Sequence, residues 1–156
     1  MTPVRVAAIG IGTYKGFDLA DTAPNRARLA AVVRRLFAAG GSIVDSSPMY
    51  GRAEARAGEA LKALGKTGDA FIMTKVWTSG REAGIRQMRE SLRLLGAPHI
   101  ALMRIHNLVD WPTHLATLRE WQAAGTIRYI GITHYTAGAF DAVASVVARE
   151  KLDFLQ

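Results

Sequence analysis

Four side chains suited to proton chemistry stand at or near the ends of short apolar runs. Asp45 and Tyr50 lie in IVDSSPMYG (43–51), Lys75 lies inside FIMTKVW (71–77), and His106 closes IALMRIH (100–106). Each has an ordinary structural reading when taken alone. Asp45 could cap a following helix, Lys75 could snorkel from an edge position, and His106 could be a satisfied core histidine. Gathered at three neighbouring strand ends, they make a general-acid set. A phenol with its ordinary pKa of about 10 is a poor proton donor at neutral pH. An ammonium beside it favours tyrosinate and brings that value down. A buried lysine tends to lose its proton, and a paired aspartate opposes the loss. A neutral imidazole can then orient a substrate oxygen. The chemistry that fits is protonation of an oxygen as it gains negative charge, as when a carbonyl accepts hydride.

Positioning these groups requires a repeating scaffold. Apolar runs rich in β-branched residues recur at 4–11, 42–44, 71–76, 100–105, 127–132 and 152–155. Between them run stripes of helical period: Leu29, Val32, Val33, Leu36 and Phe37; Ala57, Ala60, Leu61 and Leu64; Ile85, Met88, Leu92 and Leu95; Leu115, Leu118 and Trp121; and Phe140, Val143, Val146 and Val147. Breakers such as AAGG (38–41) and LGAP (95–98) fall where helices should stop. Six strands alternating with five helices predict parallel strands joined by helical crossovers. The glycines of GIGTYKG (10–16) do not form the G-x-G-x-x-G turn of a nucleotide-binding open sheet. The strand ends near 45, 75, 106 and 133 repeat at a regular interval, which favours the closed (β/α)8 TIM barrel. The expectation is therefore an α/β barrel truncated to about six strands and five helices, a single domain over residues 1–156. In such a barrel the chemistry gathers at the C-terminal ends of the strands. An open sheet would leave two unpaired edges, through which self-association is an expected possibility.

Composition narrows the function classes. The chain has 156 residues, 49% of them apolar and 21% charged, and no cysteine. That profile is globular, and it excludes disulfides, thiolate chemistry and Cys-based zinc sites; no metal site is expected. The formal charge of +7 is spread over successive segments without a basic block. Aromatics do not alternate with the basic residues as a base-stacking platform requires, so no nucleic-acid partner is expected. No apolar stretch reaches the length of a membrane helix, and the N-terminus lacks a cleavage-site pattern. The expected setting is cytoplasmic, without a membrane partner.

The residues resemble the aldo-keto reductase family. IVDSSPMYG is similar to the family's strand-two motif, an Asp followed five residues later by the catalytic Tyr and a Gly. FIMTKVW and IALMRIHN resemble the strands carrying the family lysine and histidine. WQAAGTIRYIGITHY (121–135) resembles the family's G-K-I-R-x-I-G-V-S-N-F segment, and LDFLQ (152–156) the strand ending in a cofactor-binding Gln. The resemblance implies Tyr50 as proton donor, Lys75 and Asp45 as its tuning pair, and His106 as the group orienting a small-molecule carbonyl substrate. It implies NADPH (NADP+) as the hydride cofactor. Thr13 and Tyr14 would lie near its ribose and the substrate mouth, with Asp45 also on the cofactor side. Thr133, His134 and Gln156 would face the nicotinamide carboxamide, and Trp77 and more loosely Trp111 would line the substrate pocket. His134 stands where many members have Asn, and imidazole can still donate a hydrogen bond. The family's last third, with strands seven and eight and the residues that hold the 2′-phosphate, has no counterpart in these 156 residues. The isolated chain is therefore expected to bind NADPH weakly and turn over poorly or not at all. Two other readings stand beside the enzyme: a binding or regulatory subunit of the same fold, and a fragment without independent function.

Overall fold

The computed structural model describes residues 5–156. Six parallel strands form one sheet in sequence order: β1 (Gly10–Gly12), β2 (Ile43–Asp45), β3 (Phe71–Val76), β4 (Ile100–His106), β5 (Ile127–Thr133) and β6 (Phe154–Leu155). Each successive pair is bridged by a helix: α1 (Ala23–Ala38), α2 (Ala53–Ala63), α3 (Arg81–Leu95), α4 (Trp111–Ala123) and α5 (Phe140–Arg149). The sheet curls. Phe71 of β3 and Phe154 of β6 have ring centroids 6.3 Å apart, and the Gln156 amide beyond β6 reaches Asp45 of β2. This is a truncated (β/α)8 barrel, as the alternation predicts.

Alternation along the strands sorts chemistry from packing. Lys75 and Arg104 are register partners on β3 and β4 and share the concave inner face with Asp45 and Gln156. Their neighbours Val44, Ile72, Val76, Met103, Ile105, Ile130 and Ile132 are buried in the core. From the helices that core takes Leu29, Val33 and Leu36 of α1, Ala57 and Leu61 of α2, Met88 and Leu95 of α3, and Leu115 and Leu118 of α4.

The departures from the predicted elements have local causes. The first strand is shorter than the run 4–11: Val4 lies outside the described residues, and only Gly10–Gly12 pair, because β2 offers three partners. The last strand begins at 154 rather than 152. Asp153 Oδ2 accepts the Ile130 N–H at 2.9 Å, so a side chain takes the place of a ladder partner there. Val32 is more exposed than its stripe predicts, and α5 differs most. Of its predicted stripe only Val146 is buried, while Phe140 is 73% and Val147 42% exposed. The side-chain ties at its C-terminal end run to α4, where Arg119 pairs with Glu150 and Arg149 lies over Trp111. Both edge strands are short, at three and two residues, and a short edge is a poor template for pairing. Among the described residues no helix is long and apolar enough to cross a membrane.

One glycine fixes the last strand. A Cβ on Gly131 would run into the Phe154 carbonyl, so only glycine lets β6 lie this close to β5.

Behind β3 a buried carboxylate ties three elements together. Glu54 of α2 accepts from Thr74 of β3 at 2.5 Å and from Ser91 of α3 at 3.1 Å. Burial raises the Glu54 pKa above its ordinary value, against the two hydroxyl hydrogen bonds. Glu54→Leu should cost about 1–3 kcal/mol for each hydroxyl left unpaired. Adding Thr74→Val and Ser91→Ala should recover most of that loss. Urea unfolding of the single and triple variants measures both.

Candidate active site

The turn after β2 places Asp45 and Tyr50. Small residues let it close: Ser46 N–H donates to Met73 O at 2.8 Å, and Tyr50 N–H to Ser47 O at 3.0 Å. Gly51 follows at φ +61°, where a Cβ would meet the Asp18 carboxylate at 2.5 Å. A side chain there would be doubly disfavoured. Arg52 N–H donates to the same Asp18, at 3.0 Å, which anchors the exit of the turn. Asp45 does not cap α2, whose N-terminus has no side-chain cap. Its carboxylate faces the sheet instead.

There it meets two cations. Lys75, 2% exposed, donates to Asp45 Oδ1 at 2.9 Å and to the Ser46 carbonyl at 2.7 Å. The position is no edge site for a snorkelling lysine. Arg104, 1% exposed, donates through Nη2 to the same Asp45 oxygen and through Nη1 to Gln156 Oε1. Gln156 Nε2 completes the ring by donating to Asp45 Oδ2 at 3.2 Å. Burial alone would raise the Asp45 pKa, but Arg104 and Lys75 together hold it below the usual carboxylate value. Burial and the Arg104 charge push the Lys75 ammonium down to about 8, against the pull of Asp45 and Glu54.

Tyr50 and His106 stand above this cluster. Lys75 Nζ lies 4.9 Å from the centroid of the Tyr50 ring, over its face. The His106 ring meets Tyr50 edge-on, with centroids 6.1 Å apart. Tyr14 packs on the other side of Tyr50 at 4.9 Å. The Tyr50 pKa is raised, not lowered as the lysine-phenol argument expects. Burial, first, and then the Asp45 carboxylate outweigh the pull of Arg104. His106 pairs through Nδ1 with Ser47 Oγ at 3.1 Å. Burial, reinforced by Lys75 and Arg104, drives its pKa down to about 4, which leaves the imidazole neutral over the physiological range.

The remaining predicted positions divide. Thr13 is fully buried and donates to Ser46 Oγ at 2.9 Å, so its hydroxyl supports the β2 turn. Tyr14 and Trp77 are exposed at the strand ends. The Trp77 backbone is held by both ends of the Gln87 amide, at 2.6 and 3.0 Å. Thr133 pairs in register with His106 at the mouth. His134 N–H donates to Gln156 O, and its Nδ1 accepts the N–H groups of Tyr135 and Thr136 at 3.1 and 3.2 Å. In the neutral ring this puts the hydrogen on Nε2, which is then a donor. Trp111 opens α4, packs against the core and lies under Arg149 of α5, at 5.7 Å.

Sequence reasoning missed Arg104, Ser46 and Ser47. Arg104 was detectable: a charged residue two positions before His106 shares its strand face. The two serines look like turn residues, and nothing in their spacing marks their roles. The neutral state of His106 can be checked directly. Its imidazole resonances should stay unchanged between pH 8 and about 5, whereas an unperturbed histidine titrates across that interval.

Comparison with known proteins shows which proteins this chain is similar to in sequence and fold. The chain is 24% identical over 164 residues to the Bacillus subtilis aldo-keto reductase YhdN, covering 93% of the chain and 48% of that protein. It is 30% identical over 138 residues to the Escherichia coli methylglyoxal reductase YeaE, covering 84% and 46%. Among solved structures it matches an aldo/keto reductase from Klebsiella pneumoniae in complex with NADP and acetate, with a TM-score of 0.76 and 24% identity over 94% of this chain and 50% of that one. A second Klebsiella pneumoniae aldo-keto reductase, in complex with NADPH, matches with a TM-score of 0.73 and 26% identity over 88% and 49%. The chain thus spans about half the length of the relatives it matches. With the Aldo/keto reductase family profile matching residues 8–155, the chain belongs to the aldo/keto reductase family.

Proposed function

We propose that this chain carries the proton-delivery side of an NADPH-dependent reductase that converts an aldehyde or ketone to an alcohol, with Tyr50 as the proton donor. The observation that carries the reading is the half-buried Tyr50 phenol set between neutral His106 and the Lys75–Asp45 pair. Support also comes from the relatives named as reductases and from the complexes with NADP and NADPH.

In this reading the substrate oxygen lies between the Tyr50 hydroxyl and the His106 imidazole. His106 orients that oxygen as a neutral donor from Nε2, with Nδ1 turned to Ser47. Tyr50 transfers its proton as charge grows on the oxygen. The Lys75 ammonium then stabilises the tyrosinate left behind. A reduced nicotinamide, when bound, supplies the hydride. The residues fit its carboxamide end: His134 offers an Nε2–H donor, Thr133 a hydroxyl at the mouth, and Gln156 an amide at the end of β6. Tyr14 and Trp77 line the exposed rim and suit the apolar part of a carbonyl substrate. Thr13 supports the turn through Ser46, and Trp111, opening α4, would line the substrate pocket only loosely.

The test is carbonyl-dependent loss of NADPH absorbance, in this chain and in any longer product of the same gene, against Tyr50→Phe. Loss of the donor should cut the rate by about 10²–10⁴-fold. Equal rates in Tyr50→Phe and the parent would remove Tyr50 from the role. The rate of reduction should also fall as pH rises through about 8. Above that point Lys75 loses its proton, tyrosinate loses its counter-charge, and the phenol becomes a weaker acid. His106 should add no acidic limb above about pH 4.

A further inference from the structure

Beneath the Tyr50 cluster, two buried cations share one carboxylate oxygen. Asp45 Oδ1 accepts from both Lys75 and Arg104, while Oδ2 takes only the neutral Gln156 amide. Arg104 extends across the concave face from β4 to Asp45 of β2 and Gln156 beyond β6, while its own Nε is buried without a partner. Below the guanidinium lies a groove of about 210 Å³ lined by Ile43, Met73, Leu102, Phe154 and Leu155. That apolar floor offers no second anion. A buried cation without its own counter-ion is costly, so the cluster is under pressure to shed one positive charge. A guanidinium does not give up its proton in proteins, whereas an ammonium does so readily when buried.

We propose that Arg104 is a positioning residue for the reductase site: it clamps Asp45 and Gln156 together from below, claims half of the Asp45 charge, and makes Lys75 the cation that discharges. The inference rests on the Tyr50–Lys75 reading only for its effect on turnover; the charge sharing itself does not. The groups facing Lys75 are few. Asp45 from β2 and Glu54 from α2 favour its charge. Arg104 from the adjoining β4 strand opposes it. His106, also on β4, is neutral, and the uncharged Tyr50 ring covers the ammonium from the turn after β2. Arg104 is thus the one fixed cation among them. Its second consequence concerns Gln156. With Oε1 engaged by Arg104 and Nε2 by Asp45, that amide is oriented by the clamp before any ligand reaches it.

Two readouts separate the claim from general loss of structure. In the chain labelled with ¹³C at lysine Cε, the Lys75 signal is assigned by its disappearance in Lys75→Met. Its midpoint in the unsubstituted chain should lie near 8. A midpoint in the ordinary lysine range, about 10.4, would overturn the proposal without any Arg104 variant. In Arg104→Met, which suits the apolar floor, the midpoint should rise by about one pH unit or more as Asp45 serves Lys75 alone. Arg104→Lys puts a cation that can discharge in place of one that cannot, so the two lysines should share the shift and the Lys75 midpoint should rise part of the way. If Arg104→Met does not fold, Arg104→Gln serves in its place. An unmoved midpoint in the folded neutral variant overturns the proposal. The second readout is the pH profile of carbonyl reduction. Its alkaline limb should move up with the Lys75 midpoint in the neutral variant, whereas a purely structural defect would lower the rate at every pH. A midpoint that moves while the rate profile stays fixed supports the Arg104 clamp and counts against Lys75 in proton delivery.

Discussion

The site depends on the carboxylate of Asp45, which holds two buried cations and the Gln156 amide. Because Asp45 ends β2, Lys75 lies in β3, Arg104 in β4 and Gln156 follows β6, one side chain links four strand ends around the concave face. Remove it and two charges lose their partner in a dry environment, a loss on the order of 3–5 kcal/mol for a broken buried pair. The same contacts that curl the sheet therefore set the electrostatics of the residues above it. Shape and charge are not separable here.

Strand alternation explains how such charges coexist with an apolar core. Lys75 and Thr74 are consecutive, yet one faces Asp45 and the other faces Glu54 and Ser91 among the helices. Glu54 contributes in two ways. It fastens α2 to β3 and α3, and its charge, felt through the strand, favours the Lys75 ammonium. Helix packing and the protonation of the site are thus coupled across a single backbone, although Glu54 itself never reaches the concave face.

Much of this was legible in the chain, and the reason is physical. Asp45, Tyr50, Lys75 and His106 are polar groups beside apolar runs, where a parallel sheet opens into loops, so sequence alone brings them into view. The middle strands and the four packed helices were legible because their apolar period is met by burial. The limits have equally concrete causes. Arg104 sits inside a run that reads as apolar, and only its two-residue offset from His106 betrays its face. The α5 stripe has the right period, but period reports which residues share a side and not whether anything covers that side. Asp153 interrupts its strand because a carboxylate can accept the N–H that a backbone carbonyl would otherwise take.

The raised Tyr50 pKa belongs with this arrangement. At rest the phenol is buried near a carboxylate, so the site alone makes it a weaker acid than a free tyrosine. The cluster beneath carries two cations and one anion while Lys75 is protonated, a surplus of one positive charge without a close counter-ion. In the proposed reaction the tyrosinate formed by proton transfer is the anion that balances it. Charges fixed before the reaction need no reorganisation when the tyrosinate appears, so in the proposed reaction they offset part of the burial that makes the resting phenol a weaker acid. The balance holds only while Lys75 keeps its proton. Arg104 keeps its charge at every relevant pH and sets the background against which that proton comes and goes.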